Sequence, residues 1–426
     1  MRDAQVDGST EDSRPIVHHT LARKDDPKTN RRDKGIIWPA RHLSRDIGPR
    51  PPGSSGERSA SRFIEKELRS LDLEPESDRF RTPVTTAWSK SIVHLALVIG
   101  VLVFPASSHA SFALVCIGFV LFLFEEHGRS PFAWLQPHAQ SVNLVTRIHP
   151  LKKTERKLVI LAHMDSPRSA FYYKPGIVRL YRTAFLLDSL CQILIFMLST
   201  VLYGGYLLSM EQDKLSLLWN VSLVVVIPPA LALLGLLYKS ILGKATPGGN
   251  DNASGVAVLE QIARIYSRRA PHNTELWLVF TGASDGDSSG LKRFIHGNRA
   301  QLKGAYYIVL DQVGHGFPVC YRREGRLMPF RANRQLLNLA RRISDMHANY
   351  GLELRRNFLY LSEGYQLLSR GRKAMTVSSR DKSRYPRYWR WRKDDYDNVD
   401  PRTLRLSADF IQAMVDNMDR GNLKKK

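Results

Sequence analysis

Three uncharged apolar runs interrupt an otherwise mixed chain. The first extends from Ser91 to Phe124 and is broken near its middle by "FPASSHAS"; the others run from Ser189 to Met210 and from Leu215 to Tyr238. A membrane-spanning helix needs ~20 apolar residues. The later two runs meet that length. The first is too long for one helix and short for two, unless it turns at Pro105 and borrows residues from "VTTAWSK" and "EEHG". Helices buried in a soluble core are the alternative, which the length of the later runs disfavours.

Parity supports reading the first run as a hairpin. If the segments flanking each insertion build one domain, each insertion crosses the bilayer an even number of times, so four crossings fit and three do not. The expected organisation is a polar leader over residues 1–40, soluble-domain pieces over 41–83, 129–182 and 243–420, transmembrane hairpins over 84–128 and 183–242, and a basic tail over 421–426. The connectors "PASSHAS" and "MEQDKLS" hold one lysine between them, while the opposite flanks carry Lys90, Arg129, Arg179, Arg182, Lys239 and Lys244. That bias predicts a multi-pass membrane protein with its soluble domain in the cytoplasm.

Outside the insertions, short apolar strands alternate with amphipathic helices. "KLVILAH", "ELWLVFTG" and "AYYIVLDQVG" read as buried strands; "GERSASRFIEKELRSL", "NASGVAVLEQIARIYSRR", "NRQLLNLARRISDMHANY" and "DPRTLRLSADFIQAMVDNM" read as helices. This alternation predicts an α/β fold, a mostly parallel or mixed sheet with helices on both faces, interrupted by the two transmembrane hairpins.

Charge narrows the partners. Lys and Arg number 63 against 40 Asp and Glu, a formal charge of +23. Such an excess suits nucleic acid or an anionic leaflet. From Arg370 to Lys393 there are ten Lys or Arg and one Asp, and "RYPRYWRWRK" interleaves Tyr385, Tyr388, Trp389 and Trp391 with arginines. Stacking on nucleic acid, contact with lipid headgroups, and aromatics packed on the domain are the three readings. Beside the apolar runs, membrane lipid is the expected partner and nucleic acid is not. Cys116, Cys191 and Cys320 offer no disulfide framework, which fits a reducing compartment. The leader, rich in charge, Pro and Ser, reads as disordered, with no cleavable signal peptide.

Candidate chemistry collects where strands end. His163 and Asp165 follow "LVILA", Asp251 precedes "NASG", Asp285 follows "LWLVFTGAS" and Asp311 ends "YYIVL". A histidine with several carboxylates at neighbouring strand ends is a donor set that zinc accepts. Singly, each Asp could be a helix cap and His163 a structural histidine. Converging carboxylates, however, repel unless cations or protons offset them.

These motifs resemble those of the two-zinc aminopeptidases, metallopeptidase family 28, which also includes glutaminyl-cyclase-like and transferrin-receptor-like members. The resemblance rests on "ILAHMDS", "PGGNDNASGVAVLEQIAR", "VFTGASDGDSSGLKRF", "YYIVLDQVG", "DDYDNVDPRTL" and "LSRDIGPRPPGSSGERSASRFIEKEL", and extends from about His42 to Met418. It implies that His163, Asp251 and Asp311 hold a zinc ion, that Asp251 bridges to a second one, and that Asp165 orients His163 from behind. Gly290 keeps the family's glycine. The family's general base, a Glu, is here Ser284. Its neighbouring Glu, a ligand of the second zinc, is Asp285. The last ligand, a His, falls by spacing at Arg390, and no histidine occurs after His347.

The departures differ in weight. Glu to Asp shortens a ligand by one methylene. Glu to Ser removes the general base, whose contribution is ~10²–10⁴-fold. Asp287 could stand in, but at a position where the family tolerates glycine. His to Arg removes a ligand outright, because a guanidinium has no lone pair to give, and it brings a cation to a cation's place. Arg390 is therefore expected to pair with Asp285, with Asp251 as a further partner, leaving at most one zinc. The resemblance implies a metallopeptidase acting on a peptide or amide bond; the altered residues imply an impaired or single-zinc hydrolase. The alternative is a pseudoenzyme, a binding or scaffolding protein with an unidentified protein partner.

Overall fold

The computed structural model describes residues 35–381 and 385–423. Most of the polar leader, three residues of the basic aromatic strip and the last three of the tail lie outside them. Residues 35–41 are helical, a departure from the expected leader: Ile36, Ile37 and Ala40 are buried in the main core. The apolar triplet "GII" after the charged stretch carries that anchor.

A nine-stranded mixed sheet forms the frame. Its strands are β1 (Glu76–Pro83), β2 (His138–Ile148), β3 (Arg156–His163), β4 (Thr274–Thr281), β5 (Tyr306–Leu310), β6 (Phe317–Glu324), β7 (Phe330–Arg331), β8 (Glu353–Asn357) and β9 (Lys373–Arg380). They lie in the order β1-β2-β4-β3-β5-β9-β6-β7, with β8 beside β6. The four central strands, β4, β3, β5 and β9, are mutually parallel; β1 and β2 run against their neighbours, and β6 runs against β9 and β7 but parallel to β8. Parallel strands covered on both faces carry unbroken apolar runs. Thus Leu158, Ile160 and Ala162 of β3 point into one core, and Val159 and Leu161 into the other.

Helices α1 (Ser55–Arg69), α7 (Ser254–Arg268) and α11 (Pro401–Asp419) bury their apolar stripes in the first core, and α8 (Ser289–Gly297) in the second. The start of α1 is fixed by Ser54, whose hydroxyl accepts the Glu57 N–H at 3.1 Å. Further helices are α9 (Arg334–Met346) and α10 (Glu363–Leu368).

The two insertions are helical hairpins. The first comprises α2 (Ala87–Val103) and α3 (Ser108–Glu126), turning at Phe104–Ser107 beside Pro105. The second comprises α4 (Tyr181–Leu207), then α5 (Gln212–Val225) and α6 (Ile227–Ile241), which meet at Val226, just before Pro228 and Pro229 in the first turn of α6. Among the described residues, three stretches, 108–126, 178–207 and 212–241, are long and apolar enough to cross a membrane; α2, with 17 residues, is shorter. Gly100 and Gly118 let α2 and α3 close: a Cβ there would stand 2.7 Å from Val115 and 2.9 Å from Leu97. Val93, Leu97, Val115, Phe122, Ile195 and Val226 fill the seam, while Leu102, Ile117, Leu190, Met197, Leu217 and Leu234 remain exposed around it.

Candidate functional site

The carboxyl ends of β3, β4 and β5 lie side by side, His163 level with Thr281 and Leu161 with Val309. Whatever follows each strand is delivered to one edge, where open α/β sheets bind ligands. His163, Asp165, Asp251, Ser284, Asp285, Asp311 and Arg390 all line one cleft there, with a volume of about 30 Å³. That is roughly the space of one water molecule. Asp287 lies outside this cleft, its carboxylate 2.6 Å from Lys292.

The segment "NDNAS" holds Asp251 in place by knitting itself to the loop after β5. Asn252 donates to the Leu310 carbonyl and accepts the Gln312 N–H; Ser254 accepts from Val313 and Asn250 from Gly314. Gly255 completes the turn, since a Cβ there would sit 2.5 Å from the Asn252 amide. Asp251 does not cap α7, which begins three residues later, and turns its carboxylate to His163, 3.4 Å from Nε2. From the other side the Asp394 carboxylate accepts the N–H groups of Asn250 and Asp251 at 2.8 and 3.0 Å. Burial raises Asp394 to about 8, helped by the charge of Asp251.

Asp165 serves two neighbours. Its oxygens accept the N–H groups of Ser284 and Asp285 at 2.8 and 2.9 Å, and Oδ1 lies 3.4 Å from the Nδ1 of His163. Burial disfavours a charged imidazole, yet Asp165 and Asp251 on either side hold His163 well above its ordinary pKa. Glu57 steadies the same loop from beneath by accepting from Ala283, Ser141 and Gly53. Arg50, fully buried, ties the strand end to the turn before Asp251 through the carbonyls of Met164, Pro247 and Gly248.

His163, Asp251 and Asp311 each offer a donor atom within 4.8 Å of the others'. Three N/O donors with room left over fit one zinc ion with an open position. Asp311 also accepts hydrogen bonds from Tyr360 at 2.6 Å and Gln312 at 3.2 Å. Burial and the charge of Asp251 raise its pKa.

Asp285 does not complete a second such set. Its Oδ1 faces Arg390 Nη1 at 3.0 Å and Lys239 Nζ at 3.4 Å, and its Oδ2 accepts from Thr85 at 3.3 Å and from the Arg168 N–H at 3.4 Å. Burial opposes ionisation, but the two cations hold Asp285 below the usual carboxylate range. Arg390 moves the other way, well above its ordinary value, because Asp285 beside it outweighs burial. Both oxygens of Asp285 thus carry partners from the protein, two of them cations. Asp251 adds only its field to Arg390; the carboxylate in direct contact with it is Asp285.

Four site residues escaped the sequence reading. Lys239 ends an apolar run, where it reads as an interfacial anchor. Asp394 stands among charges in "RKDDYDN". Tyr360 and Glu363 follow β8, and nothing local marks them. Glu363 lines the cleft, accepts from Thr281 at 2.8 Å with one oxygen, and has no partner for the other among the described residues. Burial raises it to about 7. The basic strip folds partly inward: Tyr385 and Trp389 are buried, and the Trp389 ring sits edge-on to Tyr173 and Tyr181, each at 5.2 Å.

A mixed sheet with helices on both faces and a His-Asp-Asp cluster at its parallel strand ends defines a zinc-aminopeptidase-like fold. The pattern of peptidase family M28 matches residues 238–415 of this chain. Solved structures agree on the fold. A Zn-dependent exopeptidase from Parabacteroides distasonis matches with 15% identity over 90% of this chain and 98% of its own, at a TM-score of 0.52. An aminopeptidase from Aneurinibacillus sp. strain AM-1 matches with 14% identity over 91% and 94%, at 0.53. A glutaminyl cyclase from Bacteroides thetaiotaomicron matches with 14% identity over 90% and 97%, at 0.52. No curated protein matches the chain.

Proposed function

We propose that this protein is a membrane-embedded, single-zinc member of its family, acting on a peptide or amide bond beside the bilayer. The observation that carries the reading is the pair of cations on Asp285: Arg390 and Lys239 stand where a second ion would need a free carboxylate oxygen. His163, Asp251 and Asp311 would hold the one zinc ion, which supplies Lewis-acid polarisation of a carbonyl when bound. Asp165 orients His163 and fixes the Ser284–Asp285 backbone. Ser284 cannot serve as a general base. Glu363, a cleft-lining carboxylate with one oxygen unpartnered among the described residues, is our candidate to take a proton. Membrane embedding is supported by the exposed apolar belt and helix lengths, and a cytoplasmic domain by the basic residues flanking the helices.

A second reading, a binding protein without chemistry, is favoured by Asp311, both of whose oxygens already accept hydrogen bonds. Zinc content of the purified protein, and amino-acid release from aminoacyl anilides with and without chelator, separate the two. One zinc per chain with chelator-sensitive release supports the hydrolase. No zinc and no release supports the binding protein, and two zincs at full occupancy sink both.

A further inference from the structure

A second and larger cavity, of about 480 Å³, lies between the apolar helices and the carboxyl edge of the sheet. Its lining is mostly apolar and comes from both hairpins, with Val93 of α2, Phe122 of α3, Phe185 and Leu187 of α4, and Leu231 and Ala232 of α6. Leu187 and Leu231 are 51% and 62% exposed, so this end opens on the apolar surface of the helices. At its other end the cavity shares Ser284, Asp285, Tyr360, Leu361 and Arg390 with the cleft, so the two spaces have a common wall. From that wall the Tyr360 hydroxyl reaches Asp311, one of the three converging donors, at 2.6 Å.

Size and charge limit the occupant. Pockets that enclose small organic ligands span ~300–1,000 Å³. A helix is ~10–12 Å across and rises ~5.4 Å per turn, so a single turn takes up roughly 500 Å³. A helical peptide segment therefore does not fit, whereas one extended hydrocarbon chain does. The cleft beyond the wall, with about 30 Å³, has space for a carbonyl group and little more. The lining cations are Lys90, Lys239, Arg326 and Arg390; the lining carboxylates are Glu125, Glu126, Asp188, Asp285 and Asp287. Asp287 is held by Lys292 at 2.6 Å. The four carboxylates that remain match the four cations, with Arg326 paired to Glu126, and Lys239 and Arg390 to Asp285. A head with a net charge would find no counter-charge left over, and burying it would be costly. An uncharged head leaves the balance intact.

We infer that this cavity holds the hydrocarbon chain of an uncharged long-chain amide, whose carbonyl reaches the zinc-type cleft at the common wall. The substrate class is then an N-acyl amide drawn from the bilayer. In its hydrolysis a water adds its hydroxyl to the carbonyl carbon, the C–N bond breaks, and the nitrogen takes the water's other proton, releasing a fatty acid and an amine. The inference rests on the membrane and hydrolase readings above, because the chain enters from the lipid side and the cleft supplies the chemistry.

The test uses the full chain in phosphatidylcholine nanodiscs, first stripped of metal so that binding is read apart from catalysis. N-palmitoylglycinamide with a diazirine at the chain end should label α4 and α6. With the diazirine beside the carbonyl it should label the wall around Ser284, Tyr360 or Arg390. Unlabelled N-palmitoylglycinamide should suppress both labels about tenfold better than N-acetylglycinamide, palmitate or hexadecylamine. Gly235→Leu narrows the cavity and should cut labelling several-fold; a Cβ there meets only the Tyr172 ring, at 3.5 Å, so the helix tolerates the side chain. The wild-type labels need no variant. With zinc restored, glycinamide release from the palmitoyl amide should exceed that from the acetyl amide about tenfold in kcat/KM. Labels confined to other surfaces, or suppression by palmitate or hexadecylamine as strong as by the amide, would overturn the inference. Failure to enter nanodiscs overturns the membrane reading as well. The expected labels without any hydrolysis overturn the hydrolase reading and leave the amide-binding cavity standing.

Discussion

Lys239, two residues from the end of the last apolar helix, places its ammonium 3.4 Å from Oδ1 of Asp285 at the tip of a sheet strand. One ion pair thus links the helical insertion to the candidate site. The same oxygen takes Arg390 at 3.0 Å.

Removing either cation leaves Asp285 buried with less to balance it. Breaking a buried pair by deleting one partner costs ~3–5 kcal/mol. Arg390→Met should approach that range. Lys239→Met should cost less, because its contact is longer and Arg390 remains. Thermal unfolding in a fixed detergent ranks the two, and an Arg390→Met protein as stable as the wild type would contradict the arrangement.

Metal content should follow the three converging donors. His163→Ala or Asp311→Asn is expected to cut bound zinc at least tenfold, since each removes one of only three protein ligands. Asp287→Asn, outside the cleft and tied to Lys292, should leave zinc unchanged. Elemental analysis after dialysis against sub-micromolar zinc reads both.

A second ion should need four changes rather than three. Ser284→Glu, Asp285→Glu and Arg390→His restore the family's residues, but Lys239 would still hold the carboxylate. Adding Lys239→Met is expected to raise zinc from one toward two per chain and to increase anilide hydrolysis by about 10²-fold or more, the contribution of a general base. Two zincs in the triple variant would show that Lys239 is no obstacle.

Stability should carry a pH signature from Glu324. It is fully buried, accepting from Thr376 at 2.6 Å and from the Ser362 hydroxyl. Burial raises its pKa from 4.5 to about 7. The folded state therefore binds more protons than the unfolded state between those values. The stabilisation is complete below about 4.5 and is lost as pH rises through about 7, by at most on the order of 3 kcal/mol. Glu324→Gln, whose hydroxyl partners can turn to donate or accept, should flatten that slope in unfolding curves from pH 4.5 to 8. An unchanged slope would assign the dependence to other groups.

Several features were legible because they depend on neighbours in sequence. Period-2 and unbroken apolar runs marked β3, β4 and β5; the 3.6-residue stripes marked α1, α7 and α11; uncharged length marked the hairpins, including a turn at Pro105. The strand-end positions of His163, Asp285 and Asp311 followed from those elements, and the family resemblance placed Arg390 opposite Asp285. The leader was less legible, because a single "GII" anchors residues 35–41 through contacts with distant strands and helices.

By itself, then, the order of residues determined the element types, the strand-end site and the presence of Arg390 and Ser284 where the resembled family carries a ligand and a base, since these depend on local pattern and side-chain chemistry. Only the tertiary structure decided that Lys239 shares Asp285 with Arg390, that Glu363, Tyr360 and Asp394 join the site, and that Trp389 turns inward. Those contacts bridge segments far apart in the chain. Their partners are chosen by burial, where an uncompensated charge or an unmatched hydrogen-bonding group is costly, and no local pattern encodes which distant group will meet it.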